Sequence, residues 1–431
     1  KTAYSQYFLI GSVDEAHNQR NIRKGYWAIF SLRERSQTMV AMTATPITSG
    51  PLDAWNIGRY LGLEQFGSAH DTDALKMQRQ LRTTAAKDRK RLKQGDRITK
   101  VIIGMIKGNT DNEVPSLYRT AMLTWVNEIR KRFSGVVIRR TIWSVDNHGS
   151  RISGLGPFME HNLLVTLYNH EVDNLELIAK DLVEEGGAKA AKFAAGSDFY
   201  VRIRRALLHP SCNAGYPWTN PSNLDEWRKD PSRKLDVLVQ VIQWHQVHDN
   251  RQPLCIVDDQ LVVSTSNSAF VPGPSNSVLC DKILVYCAFP SSYIQVTKVL
   301  ELHSIQSLQI HGKLPPSARM DIIAKFKASG RDGPRVLIIS NVGLTGLNLP
   351  CANILIIVDS LWSATDEGQL IGRIYRPPQS KTVHIYRIIA ANTQDVFLNN
   401  ISFSKAAILD AFTGAPPSLR RYPRAKLAFR N

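Results

Sequence analysis

Cysteine is scarce in this chain, and its spacing argues against two kinds of small stabilised domain. The 431 residues contain five cysteines and no Cys-x-x-Cys pair. A structural zinc site usually needs closely spaced pairs of cysteines and a disulfide framework needs many cysteines in a short chain, so we expect neither. Apolar runs are also short, since none approaches the roughly 18 residues that span a bilayer. No signal-peptide pattern is visible either, so we expect an intracellular protein with no membrane partner.

Acidic residues are outnumbered, and the basic excess is concentrated in one region. The chain has 54 Lys and Arg against 37 Asp and Glu, a net charge of +17. Between Lys76 and Arg140 there are 17 basic residues and five acidic ones. A charged run is usually a solvated helix face, but a regional excess of this size favours a polyanionic partner. The candidate phosphate contacts are Lys87, Arg89, Lys90 and Arg91, a cluster that also fits a nuclear import signal.

Two polar motifs follow apolar runs in the first 46 residues. The first is Asp14-Glu15-Ala16-His17, and the second is Thr43-Ala44-Thr45-Pro46. An acidic pair after a strand suits a nucleotide-bound Mg²⁺ and an attacking water. We therefore expect Asp14 to hold Mg²⁺ through water and Glu15 to orient the hydrolytic water. The alternatives are a helix N-cap at Asp14 and a plain turn before Pro46.

A third motif, Gln369-Leu-Ile-Gly-Arg-Ile-Tyr-Arg376, lies near the other end of the chain. Its two arginines, Arg373 and Arg376, are one helical turn apart and suit the charge on a transferring phosphoryl group. Gly372 would let this helix approach a neighbour closely, and Gln369 would contact nucleotide or the threonine motif. The alternative is a basic helix surface without a catalytic role.

The motifs and their order resemble a known family. The Asp-Glu-Ala-His, Thr-Ala-Thr and Gln-x-x-Gly-Arg-x-x-Arg motifs resemble motifs II, III and VI of the superfamily-two helicases. The stretch from Ile338 to Gln379 contains Gly-Leu-Asn-Leu and a tryptophan before the arginine motif. It is similar to the motif V–VI block of Swi/Snf-type DNA-dependent ATPases. Pro377-Pro378 and Asn341-Val342 depart from the residues usual in that family.

This resemblance implies an ATP-driven motor that uses Mg²⁺ and moves along double-stranded DNA, with nucleosomes or other DNA-bound proteins as further partners in the nucleus. Arg373 and Arg376 would act as arginine fingers across a cleft between two lobes. The remaining residues it implicates fall into two groups. His17, Thr43, Thr45 and Gly346 would couple the nucleotide site to the DNA contacts, and Ser340, Asn348 and Trp362 would contact nucleic acid. For Trp362 the alternative is packing in a core.

One partner of these motifs is missing from the sequence. No Gly-x-x-x-x-Gly-Lys-Ser/Thr phosphate-binding loop occurs in the 431 residues. We expect that the chain, which begins at Lys1, is a C-terminal fragment whose first lobe is truncated before the Asp14-Glu15-Ala16-His17 motif. The alternative is a non-catalytic nucleic-acid-binding remnant that has lost the loop. A third possibility, an RNA-directed helicase of the DEAH type, fits Gly-Leu-Asn-Leu less well.

Alternation of short apolar runs with helical patterns is typical of parallel sheets covered on both faces. The alternation predicts an α/β fold with two parallel-sheet lobes, a helical insertion and a helical connector, and the resemblance implies that the lobes are RecA-like. The predicted strands are 7–13, 38–43, 136–140, 282–287, 307–310, 336–340, 354–359 and 382–389. Residues 233–247 and 365–375 are predicted helices, and residues 155–210 are predicted to be helical without sheet patterning. The predicted parts are a truncated first lobe (1–140) with a basic helical insertion (about 60–135), a connector (141–231), a second lobe (232–413) with a Ser/Pro-rich insertion (262–277), and a basic tail (414–431).

Overall fold

The protein is described from a computed structural model. The residues that it describes are 2–93, 117–140, 144–156, 158–186, 197–213, 215–264, 280–341, 347–361, 364–393 and 395–396. The tail at 414–431, most of the Ser/Pro-rich insertion and the middle of the basic insertion lie outside these residues. None of the described helices is long and apolar enough to cross a membrane.

A two-stranded parallel sheet opens the chain. Strand β1 (Phe8–Val13) pairs with β2 (Ser36–Ala41), and α1 (Lys24–Arg33) connects them. Both strands were predicted from the sequence, although β2 was predicted two residues further along the chain than the structure has it. Tyr26 and Ile29 of α1 pack in a small core with Ala16, Ile57 and Tyr60. Among the described residues β2 pairs with β1 alone, and Leu9 and Ile10 of β1 remain 72% and 60% exposed.

Three helices follow this sheet and share one apolar core. They are α2 (Pro51–Leu61), α3 (Asp71–Lys93) and α4 (Leu117–Arg132). Trp55 of α2 packs with Met77 of α3 and with Trp125 of α4. The Asp88 carboxylate of α3 accepts the backbone N–H groups of Leu117 and Tyr118, which caps the start of α4. The described parts of the basic region, 76–93 and 117–132, are therefore helical and pack with α2.

A second, larger sheet lies in the C-terminal half. Its six strands are all parallel and lie in the order β3-β10-β9-β6-β8-β7. They are β3 (Phe158–Val165), β6 (Ile283–Tyr286), β7 (Ser307–Ile310), β8 (Val336–Ile339), β9 (Ile354–Ile357) and β10 (Val383–Ala390). The central strands are buried along their whole length, as strands covered on both faces must be. The predicted α/β class with parallel sheets is confirmed.

Helices cover both faces of the six-stranded sheet. The helices of this half are α5 (Asn169–Gly186), α6 (Ser197–Leu208), α7 (Leu224–Trp227), α8 (Arg233–Val247), α9 (Tyr293–Leu302), α10 (Pro316–Ala328) and α11 (Ala364–Ile371). Leu238 of α8 and Val296 of α9 belong to the core on one face, whereas Phe326 of α10 and Leu370 of α11 belong to the core on the other. This doubly wound arrangement brings the loops after β8 and β9 to one edge of the sheet.

Strand β3 differs from the sequence prediction, which assigned residues 155–210 to helices without sheet patterning. It pairs with β10 over eight residues, from Phe158 opposite Val383 to Val165 opposite Ala390. The predicted helical connector therefore supplies the edge strand of the sheet assigned to the second lobe. The alternation was missed because His161, a polar residue, occupies a buried position between Met159 and Leu163.

Two further predictions are corrected by the structure. Val262 and Val263, assigned to the Ser/Pro-rich insertion, belong to strand β5 (Gln260–Val263), which forms an antiparallel hairpin with β4 (Leu254–Val257). Asp258 and Asp259 make the turn with positive φ angles of 49° and 60°, as a two-residue hairpin requires. Residues 136–140, predicted to be a strand, have no regular structure, because no strand lies beside them and Ile138 is 87% exposed.

Candidate active site

The acidic pair lies directly after β1, at the carboxyl end of the small sheet. Asp14 and Glu15 are both exposed, and Asp14 Oδ1 accepts the backbone N–H of Glu15 at 2.8 Å. Glu15 has a left-handed backbone, with φ 46° and ψ 47°, which is rare for a residue with a Cβ atom. Such strain is common at functional sites. The turn projects both carboxylates from the sheet edge.

His17 joins the acidic motif to the threonine motif. Its Nδ1 lies 2.9 Å from Thr43 Oγ1 and 3.3 Å from Glu15 Oε2. The same Thr43 hydroxyl accepts the backbone N–H of Thr45 at 3.0 Å. The backbones also meet, since Ala16 N–H donates to Met42 O at 3.0 Å. Side-chain and backbone contacts therefore join the acidic loop to the threonine loop.

A buried carboxylate behind these loops ties them to α2. Asp53 is 4% exposed and accepts the backbone N–H groups of Thr48, Ser49 and Gly50. Arg20 approaches the same carboxylate, with its Nε 3.7 Å from Asp53 Oδ1, and donates from Nη1 to His17 O at 2.8 Å. One carboxylate thus organises the segment after the threonine motif and anchors the segment after His17.

The arginine motif begins in α11 and continues into the turns after it. The predicted helix was longer, but α11 ends at Ile371, and Arg373 and Arg376 follow in hydrogen-bonded turns. The Arg373 carbonyl accepts the N–H of Leu349 at 2.9 Å, and its Nη1 donates to Leu347 O at 3.4 Å. The arginine motif is therefore held against the segment that follows β8.

Gln379 connects the same two segments. Its side-chain amide donates to Ala352 O at 2.7 Å and to Pro350 O at 3.0 Å, and its Oε1 accepts the N–H of Lys381 at 3.0 Å. It is 5% exposed, so these bonds are shielded from water and hold the exit of the arginine motif in one place.

Glu15 follows β1 of the small sheet and Arg373 follows α11, which packs on the large sheet, but the two side chains interact electrostatically. Burial lowers the pKa of the Arg373 guanidinium from its ordinary value, and the Arg376 guanidinium lowers that pKa further. The Glu15 carboxylate has the opposite effect on the pKa of Arg373. The charge of Glu15, near the start of the chain, therefore acts on Arg373, near the other end.

The residues around Asp14 fit a water-mediated magnesium ion better than a metal cage built by the protein. Asp14 is exposed, and its Oδ2 makes no hydrogen bond to the described residues. The described residues contain no group of three or more His, Cys, Asp or Glu side chains that could hold a metal by themselves. Magnesium in nucleotide sites commonly takes one or two carboxylates, with phosphates and water completing its shell.

Comparison with known proteins identifies a known domain in the C-terminal half of the chain. Residues 276–378 match the model of the helicase conserved C-terminal domain. The chain carries a superfamily-two helicase C-terminal domain. It is also distantly homologous to Snf2-family ATPases, and the predicted recognition is confirmed to that extent.

Curated relatives match this chain over about a third of its length. An uncharacterized ATP-dependent helicase of Schizosaccharomyces pombe is 33% identical over 135 residues, which is 31% of this chain and 13% of that protein. DNA repair protein RAD5 of Eremothecium gossypii is 33% identical over 150 residues, or 33% of this chain and 14% of RAD5. Transcription termination factor 2 of Drosophila melanogaster is 31% identical over 140 residues, or 32% and 13%. The chain therefore spans only a small part of these relatives.

Among solved structures, this chain is similar to the C-terminal part of the Fun30 ATPase domain. The match has a TM-score of 0.42 and 17% sequence identity, and it covers 60% of this chain and 97% of the other.

The predicted nucleic-acid contacts of this chain differ in their exposure to solvent. Lys87 and Lys90 are exposed on α3, and Asn348 is exposed after β8. Gly346, Trp362 and the side chains of Arg89 and Arg91 lie outside the described residues. Ser340 differs from the prediction, because it is 2% exposed at the end of β8 and its hydroxyl bonds the Tyr293 side chain. Its position does not support a contact with DNA.

The surroundings of Gly372 do not support its predicted role, whereas the position of Gln369 is compatible with the role predicted for it. A Cβ atom at Gly372 would meet only the carbonyls of Gly368 and Gln369, at 3.3 and 3.4 Å, in the preceding turn. This glycine therefore does not permit close approach of another described element. Gln369 is partly exposed on α11, in the segment that leads to Arg373.

Sequence analysis missed Arg20 and Asp53 as residues of the site. A pattern for Asp53 was present, because it is the third residue of a helix that begins at Pro51 after Gly50. An acidic residue at that position commonly reaches back to the helix start. No comparable pattern marks Arg20, whose role depends on the contact between two loops and α2.

Proposed function

We propose that this chain is part of an ATP-dependent DNA translocase, which hydrolyses ATP between two sheets to move along duplex DNA. The observation that carries the proposal is the exposed carboxylate pair Asp14 and Glu15 after β1, which the 2.9 Å contact of His17 with Thr43 joins to the threonine loop. The Glu15 charge also acts on Arg373, after α11. A carboxylate that orients water and an arginine that neutralises a phosphoryl group are the two parts that phosphoryl transfer requires from opposite sides. The homology to Snf2-family ATPases supports the same conclusion.

The residues of the site have separate tasks in this proposal. Glu15 orients the attacking water and accepts its proton, and Arg373 and Arg376 neutralise charge that develops on the transferred group. Asp14 would hold Mg²⁺ through water, and that ion would supply charge neutralisation on the β- and γ-phosphates. His17 and Thr43 pass the state of the acidic loop to the threonine loop through their 2.9 Å contact.

The proposed track is double-stranded DNA, with nucleosomes or other DNA-bound proteins as further partners and the nucleus as the location. The supporting observation is the basic excess between Lys76 and Arg140, part of which lies on the exposed surface of α3 at Lys87 and Lys90. Binding through phosphates needs such a surface and reads little sequence.

ATP hydrolysis by the full-length gene product, with and without duplex DNA, tests the proposal. Glu15→Gln should lower kcat about a thousandfold while ATP binding, followed with a fluorescent nucleotide, changes less than twofold. Arg373→Ala should lower kcat by a similar factor. The exposed Glu34, in the turn after α1, provides the matched control, because Glu34→Gln should leave turnover unchanged. DNA-stimulated turnover that survives both Glu15→Gln and Arg373→Ala would refute the proposed chemistry.

The alternative is a non-catalytic nucleic-acid-binding remnant, which the missing phosphate-binding loop favours. Without the loop's amides and lysine, the 431-residue chain should show negligible DNA-stimulated hydrolysis by itself. The two functions differ in the full-length gene product, where the translocase hydrolyses ATP and the remnant only binds DNA.

A further inference from the structure

A buried ion pair joins α11 to the central part of the large sheet. Arg387 of β10 donates from Nε to Glu367 Oε1 of α11 at 2.6 Å. The side chains of Arg387 and Glu367 are 5% and 11% exposed, so the pair is shielded from water. Arg387 has a second acidic partner, Glu160 of the edge strand β3, with Nη2 and Oε1 2.8 Å apart.

Apolar contacts also hold α11 against the sheet. Leu370, and Ile374 just after the helix, are both fully buried in the core on that face. Apolar contacts have no preferred direction, so they hold a short helix on a sheet without determining its rotation. An arginine fork that meets a carboxylate has a defined geometry and fixes the helix in one orientation.

Glu367 precedes Arg373 by six residues, and the arginine turns continue directly from α11. We propose that the Arg387–Glu367 pair is a positioning device that fixes the rotation of α11 on β10 and thereby the location of Arg373 and Arg376. Both members of the pair are positioning residues, since neither lies among the residues that would face the nucleotide. This inference rests on the proposed function, because the position of the arginines matters through ATP hydrolysis.

Glu160, the second acidic partner of Arg387, provides a matched control. Glu367→Gln and Glu160→Gln each remove one carboxylate from Arg387 and leave it the other. Only Glu367 lies on α11, whereas Glu160 lies on β3 and does not connect to the arginine turns. If the ion pairs only stabilise the sheet, the two variants should affect activity alike.

The test compares these variants in the full-length gene product. Glu367→Gln should lower kcat for DNA-stimulated ATP hydrolysis at least tenfold while KM for ATP stays within twofold. Glu160→Gln should leave both constants within twofold. Hydrogen exchange gives a second measurement, since amides between 364 and 376 should exchange about tenfold faster in Glu367→Gln and at the wild-type rate in Glu160→Gln. Should Glu367→Gln fail to fold, Arg387→Lys keeps the charge, loses the fork, and should show the same loss of kcat.

The outcomes separate this inference from the proposed function. Equal kcat values in Glu367→Gln and Glu160→Gln, in an enzyme that Arg373→Ala inactivates, would overturn the positioning role alone. An enzyme that keeps its activity after Arg373→Ala would overturn the proposed function and this inference with it.

Discussion

Asp53 shows how one buried carboxylate can hold two loops of a site. It accepts three backbone N–H groups and the Ser49 hydroxyl, and it lies beside the Arg20 guanidinium. Arg20 in turn bonds the carbonyl of His17, which contacts Thr43. The acidic loop, the threonine loop and the start of α2 are therefore fixed relative to one another through a single side chain.

We expect Asp53→Asn to lower the free energy of unfolding by about 2 to 4 kcal/mol, because an amide cannot accept from all of these donors and leaves some of them buried and unsatisfied. Urea denaturation followed by circular dichroism measures the change. Asp71→Asn at the start of α3 is the control, since the Asp71–Arg59 ion pair is partly exposed and should contribute less than about 1 kcal/mol. Equal losses in the two variants would contradict the role assigned to Asp53.

At the scale of the element, the charged face of α3 determines how the chain should respond to salt. Reversing three charges among Lys87, Arg89, Lys90 and Arg91 should make log Kd for duplex DNA depend less steeply on log salt concentration. Each lost phosphate contact should reduce the slope by about 0.9. Fluorescence anisotropy between low and moderate salt measures this. A variant with Lys313, Lys325 and Lys327 reversed has the same net charge and should keep the wild-type slope. An unchanged slope in the α3 variant would show that this face is only solvated.

The pairing of β3 with β10 determines where the fragment that resists limited proteolysis should begin. A lobe that begins at 232, as the sequence predicts, would lack the strand that pairs with β10 over eight residues and buries Leu163 and Val165. We therefore expect limited proteolysis to yield a resistant fragment that begins before residue 158, identified by mass spectrometry. Release of a stable, cooperatively unfolding fragment that begins near Ser232 would show that the edge strand is dispensable.

At the scale of the whole molecule, three histidines are buried around the edge of the large sheet. His161 Nε2 of β3 lies 3.2 Å from His384 Nδ1 of β10, and His245 Nε2 of α8 lies 2.8 Å from the Tyr386 hydroxyl. The Leu254 N–H donates to the same Tyr386 hydroxyl at 3.1 Å. Burial lowers the pKa of His161 and of His245 to about 3 and that of His384 to about 4.

Acid should therefore destabilise this half of the protein. Below the unfolded pKa of about 6.5, the unfolded chain binds protons that the folded histidines do not, so stability falls as pH falls. Glu171 opposes this, since burial raises its pKa to about 7 and its contribution to stability is lost as pH rises through that value. The effect of the three histidines on stability is larger than that of the one carboxyl group. The free energy of unfolding should therefore fall by about 2 to 3 kcal/mol per pH unit between pH 6 and 5.

Urea denaturation at several pH values measures this dependence. His161→Asn should make the fall with pH distinctly shallower, because one group with a lowered pKa is removed. His148→Asn, at an exposed position, should leave the pH dependence unchanged. A wild-type stability that stays constant between pH 6 and 5 would contradict the assignment of neutral histidines to this core.

Local patterns were sufficient to predict much of the large sheet. Helix α8 and strand β7 have the bounds expected from their apolar periodicity, and β6, β8 and β10 begin and end within a residue of the prediction. Strand β3 could not be found this way, since its buried His161 is satisfied only by a side chain on β10. The assignment of catalytic and DNA-binding roles remains a prediction, apart from the geometric corrections at Ser340 and Gly372.

The sequence by itself determined the α/β class, the order of the motifs and the concentration of basic charge, because each of these is a property of neighbouring residues. Tertiary structure alone decided which distant groups share a site. It placed Arg20 and Asp53 behind the acidic loop, allowed the charge of Glu15 to act on Arg373, and joined α11 to β10 through Arg387. Such contacts depend on how helices and strands pack, and residue spacing along the chain does not encode that packing in any local pattern.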